Sequence, residues 1–518
     1  MDINNKLRLI ASYIGPRLLT YSLGIDSGQL EEFDKMAASL SDRQSEAVGF
    51  LAKKIEEIRV KQAIEGVMGD SISLSISSLG IDSGNIFNFL RKHCGGSYPQ
   101  YQTDDPILSL LVKSCLSEYP ILMLRQSQGS HDFGMYMNTN HADATKFMSL
   151  VKNDVLNEIT NGEDGFNYSF SIRLENGAEF QTSVYTAFNT LIARSFQNSC
   201  NRMTYSLLDV FNEIHFNLNS LRELASNKEI EYSSFIGIRG MNFDGFTDIK
   251  LNENVYIRQF DSTLNPGIHT QTTISQNFNG ENNYLSGHVL EIKEKTRLID
   301  TNASMTCAIG EHCHIKTSHI IDTLKLSLAF ALREDRGISY GFSESGFPLL
   351  IPGNYSISST PPSKYLTVNT DNIESIKNWF RQFSDVNLKH ISIPLQRLKN
   401  AIFERSHPED AIVDAIIAWE GMFSEAFETS FKVTASIAKY LAEPADRDDF
   451  YQRLRKLYAL RSDIVHGKKS KLMTPDNIDS LRSEVIDIGI RCITKLMSDH
   501  DILPKPSGER VKEILLNR

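Results

Sequence analysis

Tyr451-Gln-Arg-Leu-Arg-Lys-Leu-Tyr-Ala-Leu-Arg461-Ser-Asp-Ile-Val-His466-Gly467 is the stretch that organises the reading of the whole chain. Leu454, Leu457, Leu460 or Arg461, and Ile464 recur at three- and four-residue intervals, which places them on one buried face of a helix. Gly467 ends that helix directly after His466, because glycine enters the left-handed backbone region without steric cost. The segment is also basic. Arg453, Arg455, Lys456, Arg461, Lys468, Lys469 and Lys471 are opposed only by Asp463 between residues 451 and 471. The full chain of 518 residues has a formal net charge of −10. A protein that coats nucleic acid non-specifically is usually basic overall, so contact with nucleic acid here has to run through a local patch, and this segment supplies one.

Outward from this helix the chain stays helical from about residue 372. The spacing predicts helices over 373–383, 394–405, 408–423, 429–441, 448–466 and 477–497. Pro408 followed by Glu409 and Asp410 is a helix start, with proline at the first position and acids facing the positive end of the dipole. Pro361-Pro362 and the polar run after it mark the boundary. Before it, residues 116–371 read as a mixed α+β domain. Phe166, Tyr168, Phe170, Ile172 and Leu174 alternate as a half-buried strand and meet Asn176-Gly177, a strong hairpin signal. Ile249 and Leu251 lead through Asn252-Glu253-Asn254 to Val255 and Ile257, a second hairpin. Helical stretches at 185–196 and 206–224 lie between the two. Residues 1–115 read as helical. In them Ser22-Leu-Gly-Ile-Asp-Ser-Gly28 recurs as Ser78-Leu-Gly-Ile-Asp-Ser-Gly84, an expected elbow between paired helices rather than a phosphate loop, since no lysine follows the glycine. The expected architecture is α+β multidomain: a helical N-terminal region (1–115), a mixed α+β sensor or regulatory domain (116–371) and an all-α bundle (372–518).

Composition narrows the function classes. Hydrophobic residues make up 41% and charged residues 23%, the profile of a globular rather than a disordered chain. No apolar run approaches the roughly 20 residues that span a bilayer. The N-terminal MDINNKLRLIASYIGPRLL has an acid at position 2 and no apolar core with a cleavage site, so it does not read as a secretory signal. Six cysteines at irregular spacing argue against a disulfide framework. The expectation is a cytoplasmic protein with reduced thiols and no membrane association.

The segment Tyr458-Ala-Leu-Arg461-Ser-Asp-Ile-Val-His466-Gly467, with its R-x4-H spacing, resembles the signature of HEPN ribonucleases, in particular the ApeA-like group of prokaryotic defence proteins. The upstream Asp414-Ala-Ile-Ile-Ala-Trp-Glu420-Gly-Met-Phe423 resembles that group's acid-bearing helix, and Phe431 to Leu441 its intervening helix. The likeness covers about the last 145 residues, and Ser462 stands where the family often has a larger polar side chain. The resemblance implies an HEPN helical bundle at 372–518 and a metal-independent endoribonuclease. It further implies a toxin effector of anti-phage defence by abortive infection, with the preceding region sensing a phage-derived trigger. The residues fit that chemistry. Cleavage without metal needs a base for the 2′-hydroxyl, an acid for the leaving oxygen and a cation for the phosphate. Histidine exchanges protons near neutral pH, and arginine holds phosphate oxygens in a fork. Arg461 and His466 are therefore the expected catalytic pair, Glu420 a supporting residue, and Arg453, Arg455, Lys468 and Lys469 the RNA contacts. Positions i and i+5 point about 140° apart on a regular helix, so one copy aims the pair poorly at a single phosphate. The resemblance implies a homodimer or higher homo-oligomer that assembles both pairs in one cleft.

Other readings stand beside these. Arg461 could hold helices together by pairing with Glu420 or Asp463, and His466 could only cap its helix, leaving an inactive HEPN module for RNA binding or dimerisation. A helical scaffold that senses a phage protein and signals to a separate toxin is a further reading. Cys307, His312, Cys313, His314 and His319 are of metal-ligating types, but their spacing matches no closed zinc motif. A hairpin with incidental polar residues is expected there, and neither a metal nor a cofactor.

Overall fold

The computed structural model describes residues 2–25, 33–65, 76, 85–124, 141–160, 169–239, 241–243, 245–246, 248–261, 285–300, 311–333, 339–350, 366–385, 388–425, 427–468, 470 and 472–517. The protein is mixed α+β and divides into two compact units, Met1–Lys316 with Ser339–Pro361, and Thr317–Ile338 with Pro362–Arg518. No helix among the described residues is long and apolar enough to cross a membrane.

The first unit opens with helices whose starts are capped by short polar side chains. The Asp2 carboxylate accepts from the Asn5 N–H at 2.8 Å, Asn85 accepts from the Phe87 N–H at 2.9 Å, and Asp105 from the Ile107 N–H at 2.9 Å. These helices do not form a core of their own. Leu7, Ile10, Phe87 and Leu111 share one cluster with Phe196 and Leu221 of the helices Val184–Asn201 and Leu207–Ala225, and with Tyr232 and Phe347. The packing thus has no division at residue 115. The echoed segments at 22–28 and 78–84 fall mostly outside the described residues.

Both expected hairpins form, with Phe166 and Tyr168 of the first lying outside the described residues. β1 (Ser169–Leu174) and β2 (Glu179–Ser183) pair antiparallel, with Ile172 opposite Phe180. β3 (Ile230–Arg239) is followed by the short β4 (Met241–Phe243), then β5 (Asp248–Lys250) pairs β6 (Val255–Gln259), with Ile249 opposite Ile257. β7 (Leu285–Thr296), β8 (Leu298–Asp300) and β9 (Ser339–Ser345) complete two antiparallel sheets, ordered β2-β1-β8 and β5-β6-β7-β3-β9. The larger sheet carries buried carboxylates that are fully paired. Glu344 accepts from Arg194 at 2.8 Å and from Asn201 at 2.9 Å. Glu291 accepts from Ser233 at 2.6 Å and binds Arg258; against the opposing effect of burial, the Ser233 hydrogen bond and then Arg258 hold its carboxyl below the usual range. Charges this deep persist because each carboxylate oxygen has a donor.

The second unit is all helical among its longer elements. Helices appear at Thr370–Asp385, Ser392–Lys399 (continued by a π-turn, Asn400–Glu404), Pro408–Phe423, Thr429–Leu441, Arg447–Val465 and Ile478–Ser498, close to the expected positions. A last helix, Ser507–Lys512, was not foreseen; it buries Arg510, whose guanidinium donates to the carbonyls of Leu503 at 2.8 Å and Ile502 at 3.3 Å. The core forms around Trp419, fully buried, with its indole N–H donating to the Val485 carbonyl at 3.2 Å.

The Cys307–His319 region corrects an expectation. From Glu311 onward it is not a hairpin: a helix runs Glu311–Leu332. Leu326, Ala329 and Phe330 on its later turns pack with Phe383, and Lys399 reaches back to Asp322 at 2.6 Å. Cys307 and the side chains of His312, Cys313 and His314 lie outside the described residues; His319 is exposed.

Candidate functional site

Two helices of the second unit build the site. The acidic helix, Pro408–Phe423, starts as its sequence predicts, with proline in the first turn beside Glu409 and Asp410. The motif helix, Arg447–Val465, buries Leu454, Leu457 and Leu460 completely, which fixes its rotation. That rotation turns Tyr458 and Arg461, three residues apart and therefore on one face, toward the acidic helix.

They converge on Glu420. The Tyr458 hydroxyl donates to Oε1 at 2.5 Å, and Arg461 Nη2 stands 3.8 Å from Oε2. The carboxylate is 21% exposed and the guanidinium 29%, so the pair is sheltered but not sealed. Burial, then the bond to the Glu420 carboxylate, pushes the Tyr458 hydroxyl well above its ordinary range, so it remains a proton donor at neutral pH. Arg461 Nε is buried and has no hydrogen-bond partner among the described residues. The guanidinium thus meets Glu420 through one long ion pair at Nη2, with donors left over for another acceptor.

His466 is the C-cap of the motif helix. Its backbone N–H donates to the Ser462 carbonyl at 3.1 Å, and Gly467 follows at φ +64°, the left-handed turn expected of that glycine. The imidazole is exposed and makes no hydrogen bond or ion pair with the described residues. Of the three expected site residues, then, Arg461 and Glu420 are brought together, and His466, at the helix end, hydrogen-bonds neither of them among the described residues.

The expected RNA contacts divide. Arg453 is committed within the fold: its Nε donates to Glu484 Oε1 at 2.7 Å and its Nη2 to Oε2, a two-pronged ion pair. Arg455 is exposed, 5.8 Å from the centre of the Tyr451 ring. Lys468 is exposed, and Lys469 lies outside the described residues. The sequence reading also missed the deeper acid of the same helix. Asp414, 2% exposed, accepts from Arg397 at 2.8 Å and from Arg405 at 2.6 Å. Its signal was a carboxylate set inside the apolar run Ala411, Ile412, Ala415, Ile416. Among the described residues no group of three or more histidine, cysteine or acidic side chains is placed to hold a metal ion.

Comparison of the chain with protein-family models, with curated proteins and with solved structures returned no significant match.

Proposed function

We propose that residues 372–518 form a metal-independent endoribonuclease module of the HEPN type. The observation that carries the reading is the Glu420–Tyr458–Arg461 cluster, which joins the two helices that the resemblance pairs. In this reading Arg461, paired with Glu420 through Nη2, offers its remaining donors to the phosphate as charge grows on it. His466, exposed at the helix end, transfers the proton at the 2′-hydroxyl or the leaving oxygen. The 2′-oxygen attacks phosphorus, the P–O5′ bond breaks, and the products are a 2′,3′-cyclic phosphate and a 5′-hydroxyl. Among the described residues no group of three or more histidine, cysteine or acidic side chains is placed to hold a metal ion, and Glu420 is already engaged by Tyr458 and Arg461. Arg455 and Lys468 supply the local attraction for RNA in a chain of charge −10.

Among the described residues no hydrogen bond joins His466 and Arg461, and positions i and i+5 diverge on a helix, so the proposal includes a two-fold assembly in which a second copy completes the site. Val465, beside His466 and 53% exposed, is an apolar residue available to such an interface. By the same resemblance the module acts as a toxin effector in anti-phage defence by abortive infection, in the cytoplasm, with the first unit as the sensing region for a phage-derived trigger. The other reading, an inactive module for RNA binding or dimerisation, draws on the structural engagement of Arg453 and Arg461.

The deciding experiment is cleavage of total RNA by the purified full chain in excess chelator, alongside Arg461→Ala and His466→Ala with circular dichroism as the folding control. Cyclic-phosphate ends from the wild type and none from either folded variant are expected. Full activity in both variants overturns the assignment.

A further inference from the structure

The first unit contains a cavity of about 430 Å³ that no part of the nuclease reading uses. Arg17, Arg91, Tyr21, Tyr98, Tyr119 and Tyr205 are among its walls. It falls in the size range of small-molecule sites, which runs from roughly 300 to 1,000 Å³.

Arg17 is the anomaly. It is 4% exposed, yet no carboxylate among the described residues pairs with it. Its guanidinium donates to the Cys200 thiol at 2.8 Å, the Tyr119 hydroxyl at 3.0 Å and the Tyr205 carbonyl at 3.1 Å, while Nε is buried with no partner. Burial keeps both the Cys200 thiol and the Tyr119 hydroxyl above their ordinary ranges despite the neighbouring cation, so neither supplies a negative charge at neutral pH. Aromatic faces cradle the guanidinium, with Phe196 at 4.8 Å and Tyr205 at 5.0 Å. A buried cation without an anion is costly; carbonyls satisfy the fully buried Arg510, whereas Arg17 has a thiol and a hydroxyl among its acceptors, an unpartnered Nε and a cavity beside it.

Two further features point the same way. Arg91 lines the same cavity, 8% exposed, and reaches the carbonyls of Tyr21 at 3.1 Å and Ser97 at 2.8 Å. Leu207 and Leu208, also on the wall, open a 19-residue helix; the Asp209 N–H is taken by the Ser206 hydroxyl at 3.1 Å, which leaves those of Leu207 and Leu208 as the first-turn donors without an intrahelical acceptor. Asp209 belongs to that turn, but its carboxylate is folded back onto the Ser206 N–H and hydroxyl as a capping box.

We infer that this cavity is a binding site for a nucleoside monophosphate, with the phosphate at Arg17 and the helix start and the base against the tyrosine rings. The guanidinium and the N–H groups of Leu207 and Leu208 match a tetrahedral anion, and the aromatic walls match a planar ring. The site is independent of the nuclease reading and stands if that reading fails.

Calorimetry on the full chain tests it with AMP, GMP, CMP and UMP, their four nucleosides and inorganic phosphate. At least one nucleotide is expected to bind tenfold or more tightly than both its own nucleoside and phosphate. Leu208→Glu, at a position 42% exposed, adds an acid at the cavity wall and is expected to weaken binding at least tenfold with an unchanged melting temperature. Tyr98→Leu, which removes one ring, is expected to weaken the nucleotide more than phosphate. No binding by any of the four nucleotides at about 1 mM, the weak end of the useful affinity scale, overturns the inference. So does phosphate binding as tightly as the nucleotides, or affinity unaffected by Leu208→Glu.

Discussion

The Tyr458 hydroxyl and the Glu420 carboxylate share a 2.5 Å hydrogen bond between two helices that are 38 residues apart in sequence at this point. One turn further along the motif helix, Arg461 takes the other oxygen of the same carboxylate. Glu420 is therefore the piece that sets the height and direction of the arginine, and Tyr458 sets the direction of Glu420.

Tyr458→Phe tests that chain of support. It removes one hydrogen bond to a charged acceptor and keeps the ring, so a stability loss of about 1–2 kcal/mol is expected in urea denaturation. Glu420→Gln retains the shape but removes the charge beside Arg461. If the nuclease reading holds, cleavage falls in both variants by a smaller factor than in Arg461→Ala, since the arginine is displaced rather than lost. Activity equal to wild type in Glu420→Gln would show that the carboxylate does not position the arginine.

A shared site is testable by mixing. Arg461→Ala and His466→Ala are each expected to be inactive alone. Co-refolded in equal amounts, they form mixed dimers holding one intact composite site, and part of the wild-type rate returns. Light scattering on the same samples gives the mass. Cleavage at full rate by a protein that remains monomeric at assay concentration contradicts the two-fold assembly.

Glu118 in the first unit gives a pH prediction with a definite sign. Burial raises its carboxyl to about 7, and Oε2 has no hydrogen-bond partner among the described residues. Because the folded value exceeds the ordinary one of 4.5, the folded protein binds the extra proton between these values. The favourable contribution is complete below about pH 4.5 and is lost as pH rises through about 7. Glu118→Gln removes this titration. The variant is expected to gain on the order of 2–3 kcal/mol over the wild type at pH 8 and little near pH 4.5. A stability difference that stays constant across this range refutes the assignment.

Asp414→Ala leaves Arg397 and Arg405 without their common acceptor, and empties a space in the core of the acidic helix. Both arginines are about 40% exposed and can turn to water, which limits the loss to about 2–3 kcal/mol. Arg397→Gln alone should cost less, because Arg405 continues to pair with the carboxylate. Guanidinium denaturation of the three proteins gives the order; a larger loss for Arg397→Gln than for Asp414→Ala would be inconsistent with this geometry.

Local rules were sufficient for much of the chain. The leucines at 454, 457 and 460 made a helix with a known buried face, Pro408 and Gly467 marked ends, and Asn176-Gly177 and Asn252–Asn254 marked two hairpins. Each of these signals acts within a few residues, through backbone sterics, capping or the period of the apolar face. Tertiary structure decided what those signals leave open. Arg461 had two candidate acids, and the docking of two helices selected Glu420 over Asp463. Arg453 looked like a free RNA contact until the helix Ile478–Ser498 brought Glu484 against it. The polar histidines and cysteines near 312 masked a helix; its spacing of Ile320, Leu324 and Leu328 was the available signal, but the partners Trp379 and Phe383 arrive from elsewhere in the chain. The cavity around Arg17 needs Tyr205, 188 residues away. A residue type and its local spacing specify the face that a side chain occupies; which charge or ring meets it there depends on how distant elements pack, and that is a property of the folded core.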